Sequence, residues 1–414
     1  MNRRTTQKEQ TYWNVFIKFM SYIDNNEYHS NEEFSEEKLL SITPEMVYKY
    51  LAYRGYGIEE PNSASNPIHR DSTVAFDKKA ISYFLPDKDA QWNSHNRSGN
   101  PTKSSKVNSL LTMMKKAQVS KRGIKSQATR ALELSEWLLQ SDLLCESPVL
   151  DDKVLIRPLT VFNWALINRI SDAIEFFRDE IKSSPQYDGV LLAKLRWSKN
   201  VSDERDCPNQ VLLGSYESAF CVILALAIRL EYFIGTTEGR HSPFVFMPKI
   251  PDEVSLENNP HDDKPLQRYL SKIKNAVRRR LSAAVFKNPR WLSARRGHLG
   301  THSLKKAPMT YAMRNGNMTR DNCDARGRFK NDNAGKKRSS DRYIETDLPW
   351  PDVKVANALC VGGAIKYSLD DGYGISYDWI VEHVVPNIML VFPREVAIIL
   401  GSALLWACFL CPML

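Results

Sequence analysis

Apolar residues recur at helical spacing through the first 120 positions, and the intervals between these runs are polar. The run "YWNVFIKFMSYIDN" has one apolar face. "TPEMVYKYLAYRGYG" opens on Thr-Pro and closes on Gly, the start and stop punctuation of a helix. "DSTVAFDKKAISYFLP" and "PTKSSKVNSLLTMMKKAQV" complete four amphipathic segments. In the last of them the lysines occupy the faces left by Val107, Leu110, Leu111 and Met114. The pattern predicts a small helical bundle with a basic edge.

"SKRGIKSQATR", residues 120–130, is a basic, glycine-bearing connector and the best domain boundary. Beyond it, "ALELSEWLLQSD" and "PLTVFNWALINRISDAIEFFRDEI" read as two helices. The period then shortens. "GVLLAKLRW" and "NQVLLGS", separated by the polar "SKNVSDERDCP", predict an antiparallel hairpin with a long tip. "SYESAFCVILALAIRLEYFI" returns to helix and is apolar enough to be central, whereas residues 235–263 are Pro- and Asp-rich and read as a surface excursion. The expected organisation is a helical domain over 1–119, a linker over 120–130, an α+β domain over 131–385 and an apolar segment over 386–414. The fold class is mainly α with a small antiparallel β-sheet.

The final stretch "VAIILGSALLWACFLCPML" is apolar for nearly a bilayer's length. "FPRE" at its entry, its Gly-Ser pair and Pro412 speak against a tail anchor. A helix buried in the chain's own core or in a neighbouring subunit is the favoured reading, with no membrane partner.

Charge changes the picture in the second half. The 414 residues carry 57 Lys and Arg against 48 Asp and Glu, a net +9, and the segment from Lys264 to Lys306 contains no acidic residue. Tyr269, Phe286 and Trp291 interleave that run. Such a stretch is either a solvated helix face or a phosphate-facing surface, and nucleic acid is the partner it favours. The candidate DNA contacts are Lys103, Lys106, Lys115, Lys116, Lys121 and Arg122 on the helical domain and connector, and Arg278, Arg279, Arg280, Arg295 and Arg296 in the acid-free run. Seven scattered cysteines and a polar opening point to a reducing compartment. "CFLC" has no second pair beside it, so Cys408 and Cys411 are expected as buried thiols rather than metal ligands.

Cleaving a phosphodiester without a metal needs a nucleophile, cations on the nonbridging oxygens and an acid for the leaving oxygen. No acidic cluster with metal-ligand spacing and no phosphate-cradling glycine loop appears, so no cofactor is expected. The chain does offer Arg169 among apolar residues, with Asp172 three positions on as a possible ion-pair partner. It also offers Lys199 at the hairpin tip, His302 and Lys305 at a helix start, and late tyrosines.

In order and context these residues resemble the tyrosine recombinases, the family of phage integrases and Cre-type enzymes. "INRISDAIEFFRDEI" resembles the first arginine box, with Arg169 as the arginine and Asp172 in the accompanying acidic position. "LRWSKNVSDERDCPNQVLLGS" is similar to the hairpin bearing the catalytic lysine, here Lys199. "GTHSLKKA" resembles the His-x-x-Arg box, with Lys305 where arginine is expected. "ARGRFKN" resembles the box that holds His or Trp, here Phe329, and "DRYIETDL" the nucleophile segment, placing the tyrosine at Tyr343. The style is closest to Crypton-like transposon recombinases of eukaryotes.

The resemblance implies a helical core-binding domain followed by an α+β catalytic domain. Its mechanism forms a 3′-phosphotyrosyl bond at Tyr343, stabilises the phosphate through Arg169, His302 and Lys305, and protonates the departing 5′-oxygen from Lys199. It also implies a homo-tetramer on double-stranded DNA, with the C-terminal helix offering a surface in trans, and a nuclear location. Two departures bear on activity. Lysine keeps arginine's charge but loses its planar, two-oxygen fork, and losing one aligned donor costs about 3–4 kcal/mol, or ~10²–10³ in rate. Phe329 packs like Trp but cannot donate a hydrogen bond. Pro308 is expected to be tolerated only in a helix that begins near Ser303 or Leu304.

Overall fold

The computed structural model describes residues 3–125, 128–196, 207–248, 264–287, 298–329, 350–367 and 375–410. The chain divides into two compact units, Met1–Ser126 and Gln127–Leu414. The division falls inside the basic connector.

In the first unit, helices α1 (Arg3–Asp24), α2 (Glu36–Leu40), α3 (Pro44–Tyr56), α4 (Asp71–Phe84) and α5 (Ser105–Val119) pack around Phe16, Phe19, Leu51, Ile81, Leu110 and Met114. The punctuation of α3 works as its sequence reads. Thr43 accepts from the Met46 N–H, Pro44 occupies the first turn, and Gly57 closes the helix at φ 76°, a left-handed conformation costly for any side chain.

The second unit is mainly helical with small antiparallel sheets. Helix α6 (Leu134–Cys145) and a π-helical turn lead into α7 (Arg157–Leu166), a single-turn α8 (Ile170–Ile174) and strand β1 (Ile181–Ser183). The long helix expected over 158–181 is therefore broken. Ile167 adopts φ 48° and stops α7, so the chain is redirected just before Arg169. Strand β2 (Leu191–Ala193) pairs antiparallel with β1 and with β3 (Gln210–Leu212), in register Leu191↔Leu212 and Ile181↔Ala193. The two strands expected of the hairpin are present, and β1 is an addition. Strand β4 (Gly214–Ser215) pairs with a later β5 (Ala364–Ile365).

Helix α9 (Val222–Ile234) forms the centre, with Ile223, Leu226 and Ala227 fully buried. It is followed by α10 (Thr237–His241) and α11 (Lys264–Lys287). The excursion expected over 235–263 is contradicted at its start, because Val245, Phe246 and Met247 enter the core and Phe177 bridges Phe244. Then come α12 (Thr301–Arg314), α13 (Arg320–Arg326), α14 (Trp350–Leu359), α15 (Tyr377–Trp379) and α16 (Arg394–Leu410).

Helix α12 starts at Thr301, two residues before the earliest start expected to suit Pro308, and runs straight through it. The Leu304 carbonyl thus receives no N–H from position 308. Helix α16 packs on α9 and buries Val396, Ala397, Leu400 and Ala403, so the described part of the apolar C-terminal segment is covered in cis within the second unit. Among the described residues no helix is long and apolar enough to cross a membrane. Cys408, expected to be buried, is exposed beyond that packing face; Cys411 lies outside the described residues.

Candidate phosphate-binding site

Segments far apart in sequence meet at the first turn of α12. The first is the α7–α8 corner. Arg169 is extended, caps α8 from its N-terminal side, and its carbonyl accepts from the Asp172 N–H at 3.0 Å. Its guanidinium stands 3.6 Å from the Asp172 carboxylate, which is 1% exposed against 25% for the arginine. The ion pair anticipated from the i, i+3 spacing is present, and Arg169 still keeps one side open. Just before it, the buried Asn168 amide has no hydrogen-bond partner among the described residues, a polar cost accepted at this corner.

The second segment is α12 itself. The Gly300 N–H donates to Ser303 Oγ at 3.0 Å and the Ser303 N–H to the Gly300 carbonyl at 2.8 Å, which fixes the entry. His302 is exposed on the first turn, where the helix end favours negative charge. Lys305 behaves differently from the expectation that it shares an anion-facing surface with His302. Only 6% exposed, it turns inward and donates to the Gly327 carbonyl at 2.9 Å, with its amine 4.2 Å from the centre of the Phe329 ring.

The third segment, after α13, explains that inward turn. Gly327 donates to Cys323 and Phe329 to the Asp324 carbonyl at 2.9 Å, a helix end closed by Arg328 at φ 51° where glycine is usual. An arginine there costs about 1–3 kcal/mol of backbone strain. The turn throws Phe329 back over Gly327, and a Cβ on Gly327 would come within 2.6 Å of that ring. Lys305 thus meets both a bare carbonyl and a ring face. The two departures noted in the sequence, at positions 305 and 329, are one contact.

Arginines anchor this turn. Arg326 donates to the carbonyls of Ala165 and Val211, each at 2.8 Å, and pairs with Asp352. Arg328, buried, donates to the side chain of Gln210 at the start of β3. The corner after α7, strand β3 and the end of α13 are thereby held in one frame.

The charge balance of the site is lopsided. Burial, then Arg169 and Arg328, pushes the Lys305 amine down from 10.5 to about 7, against smaller opposing effects of Asp172 and Asp324. The His302 imidazole is also pushed down, first by partial desolvation and then by Arg169, Lys306, Lys305 and Lys274. Arg328 is lowered to about 10 by burial. Cations that depress one another this way gain from an anion placed among them. Arg328, Lys306 and Lys274 were not anticipated as members of this cluster; Arg328 adjoins Phe329 in the same box, but nothing local in the sequence shows that it faces Asp172.

Lys199 and Tyr343 lie outside the described residues, as do Arg295 and Arg296. Among the other DNA-contact candidates, Arg280 pairs through its Nε with the buried Asp152 at 2.7 Å. Lys106 pairs with Glu45 over the Tyr48 ring, Lys103 donates to the Asp89 carbonyl, and Arg122 donates to the Ser63 carbonyl. Arg278 meets Asn275, while Lys115, Lys116, Lys121 and Arg279 are exposed with no side-chain partner among the described residues. Lys78, absent from the sequence reading, donates to Asn108, and partial burial, then Lys103 and Lys115, lowers its amine.

Among the described residues no group of His, Cys, Asp and Glu could hold a metal ion. No protein-family model matches the chain, and no curated protein matches it.

Proposed function

We propose that this chain is a DNA-binding protein of the tyrosine-recombinase type, encoded by or descended from a mobile element and acting in the nucleus. Its strand-cleaving activity is reduced. The observation that carries this reading is the meeting of Arg169, His302, Lys305 and Phe329, from three distant segments, in one cation-rich site where Asp172 and Asp324 only partly offset the positive charge. A backbone phosphate is the anion that suits it.

In the proposed reaction the Tyr343 oxygen attacks phosphorus and the bond to the 5′-oxygen breaks. Lys199 gives a proton to that leaving oxygen, and the new phosphotyrosyl bond conserves the energy for rejoining. Arg169 and His302 meet the nonbridging oxygens in this scheme. Lys305 sits behind them, so its charge acts on the phosphate without the forked contact an arginine makes.

The same inward position of Lys305 favours a second reading, a relic that binds DNA and no longer cuts it. A pool of nicked duplexes of random sequence, on which the 5′ fragment is lost after cleavage, separates the two. A covalent protein–DNA adduct that disappears in Tyr343→Phe supports the enzyme. Salt-sensitive binding without adduct supports the relic. Absence of DNA binding at low salt rejects both.

A further inference from the structure

The first unit holds a feature that DNA binding leaves unused. A cavity of about 540 Å³ is lined by Trp13 and Phe16 of α1, Glu32, Glu33 and Phe34 of the following loop, and Phe84 at the end of α4. That volume lies within the roughly 300–1,000 Å³ of ligand sites. Its rings are held in place: Trp13 meets Phe84 edge-on at 4.9 Å between centroids, and Phe16 meets Phe34 edge-on at 5.9 Å. The Trp13 indole N–H donates to the Ser30 carbonyl at 2.8 Å, which ties the loop carrying both glutamates to the aromatic wall. Phe16 is fully buried as the floor, while Trp13, Phe34 and Phe84 are half-buried.

No lysine or arginine lines this cavity, and neither glutamate is ion-paired among the described residues. Aromatic faces and carboxylates both attract cations. The stretch from Asp24 to Glu37 carries six carboxylates and no lysine or arginine, so this edge of the first unit is acidic in a chain of net charge +9. A basic segment is attracted to it.

We propose that the cavity receives a lysine or arginine side chain from an extended basic segment of another protein. The aliphatic stem lies along Trp13 and Phe34, and the cationic head sits between the rings and Glu32 and Glu33. This site is independent of the recombinase reading.

The test is fluorescence anisotropy with the full chain and a labelled ten-residue Gly/Ser peptide bearing three lysines, beside the same peptide bearing three glutamates. Saturable binding of the basic peptide alone is expected. It should weaken at least about tenfold in Glu32→Gln/Glu33→Gln, which removes charge and keeps size, and several-fold in Phe34→Leu, which keeps bulk and removes the π face. Circular dichroism of each variant should match wild type. No binding of the basic peptide, or equal binding by wild type and the double glutamine variant, overturns the proposal. Self-association abolished by the double variant, without peptide binding, assigns the cavity to a second copy of the chain and overturns it as well.

Discussion

The molecule carries two concentrations of positive charge, and their surroundings differ. On the first unit, Lys115 and Lys116 stand in solvent, with Lys78 and Lys103 beside them lightly tied to Asn108 and the Asp89 carbonyl. On the second, Lys305 is buried against a carbonyl and a ring, with Arg169 and Arg328 close enough to perturb it. Solvated cations attract phosphate at a distance and are screened by salt. Desolvated cations are costly until an anion arrives, so their position and protonation state carry information the first group lacks. Under the proposed function, the first arrangement would serve affinity and the second a particular phosphate.

The largest expected effect comes from the counter-charge on the buried side. Asp172→Ala leaves Arg169, Arg328 and Lys305 without their shared carboxylate, and should destabilise the second unit by about 3–5 kcal/mol. Chemical denaturation measures it; a loss below about 1 kcal/mol would mean that the cluster is solvated like the lysines of the first unit.

Lys305 itself gives a pH signature. Its folded pKa, about 7, lies below the value of 10.5 it has when exposed, so between those limits the unfolded chain binds more protons and stability rises with pH. Wild type should gain up to about 1.4 kcal/mol per pH unit across that window relative to Lys305→Met. Parallel pH profiles of the two proteins would place the amine in solvent.

DNA affinity should move the other way. An anion favours the protonated forms of Lys305 and His302, both depressed in the free protein, so binding should strengthen as pH falls through about 7. Lys305→Arg should flatten much of that dependence. An unchanged pH profile in this variant would count against Lys305 as its source.

The smallest effect lies on the first unit. Lys115→Gln should weaken binding uniformly across sequences and reduce the slope of log affinity against log salt by about 0.9 if it contacts one phosphate. It should leave the pH dependence untouched. A change in pH dependence without a change in salt slope would break the distinction between the two clusters.

The helical bundle was legible because its signals are local: Thr43, Pro44 and Gly57 mark one helix within fifteen residues. The β2–β3 pairing was legible for the same reason, two apolar runs flanking a polar tip. The break at Ile167 was not, since a β-branched residue at positive φ contradicts its own preference and is imposed by packing around α7. Arg169, Asp172, His302, Lys305 and Phe329 could be singled out from spacing and resemblance, but their environments could not, nor could the nearby Arg328, Lys306 and Lys274. Whether Lys305 faces solvent depends on Gly327 and Phe329, more than twenty residues away and presented by a left-handed Arg328. The same limit hid the pairing of Arg280 with Asp152, 128 positions earlier in the chain.

The most direct test is the titration of the Lys305 amine itself, followed by NMR on protein labelled at the lysine ε-carbon and assigned with Lys305→Arg. A midpoint near 7 in the free protein, rising when a short DNA duplex is added, is the expected result. A midpoint near 10.5, or one near 7 that duplex DNA leaves in place, would contradict a buried cation waiting for a phosphate.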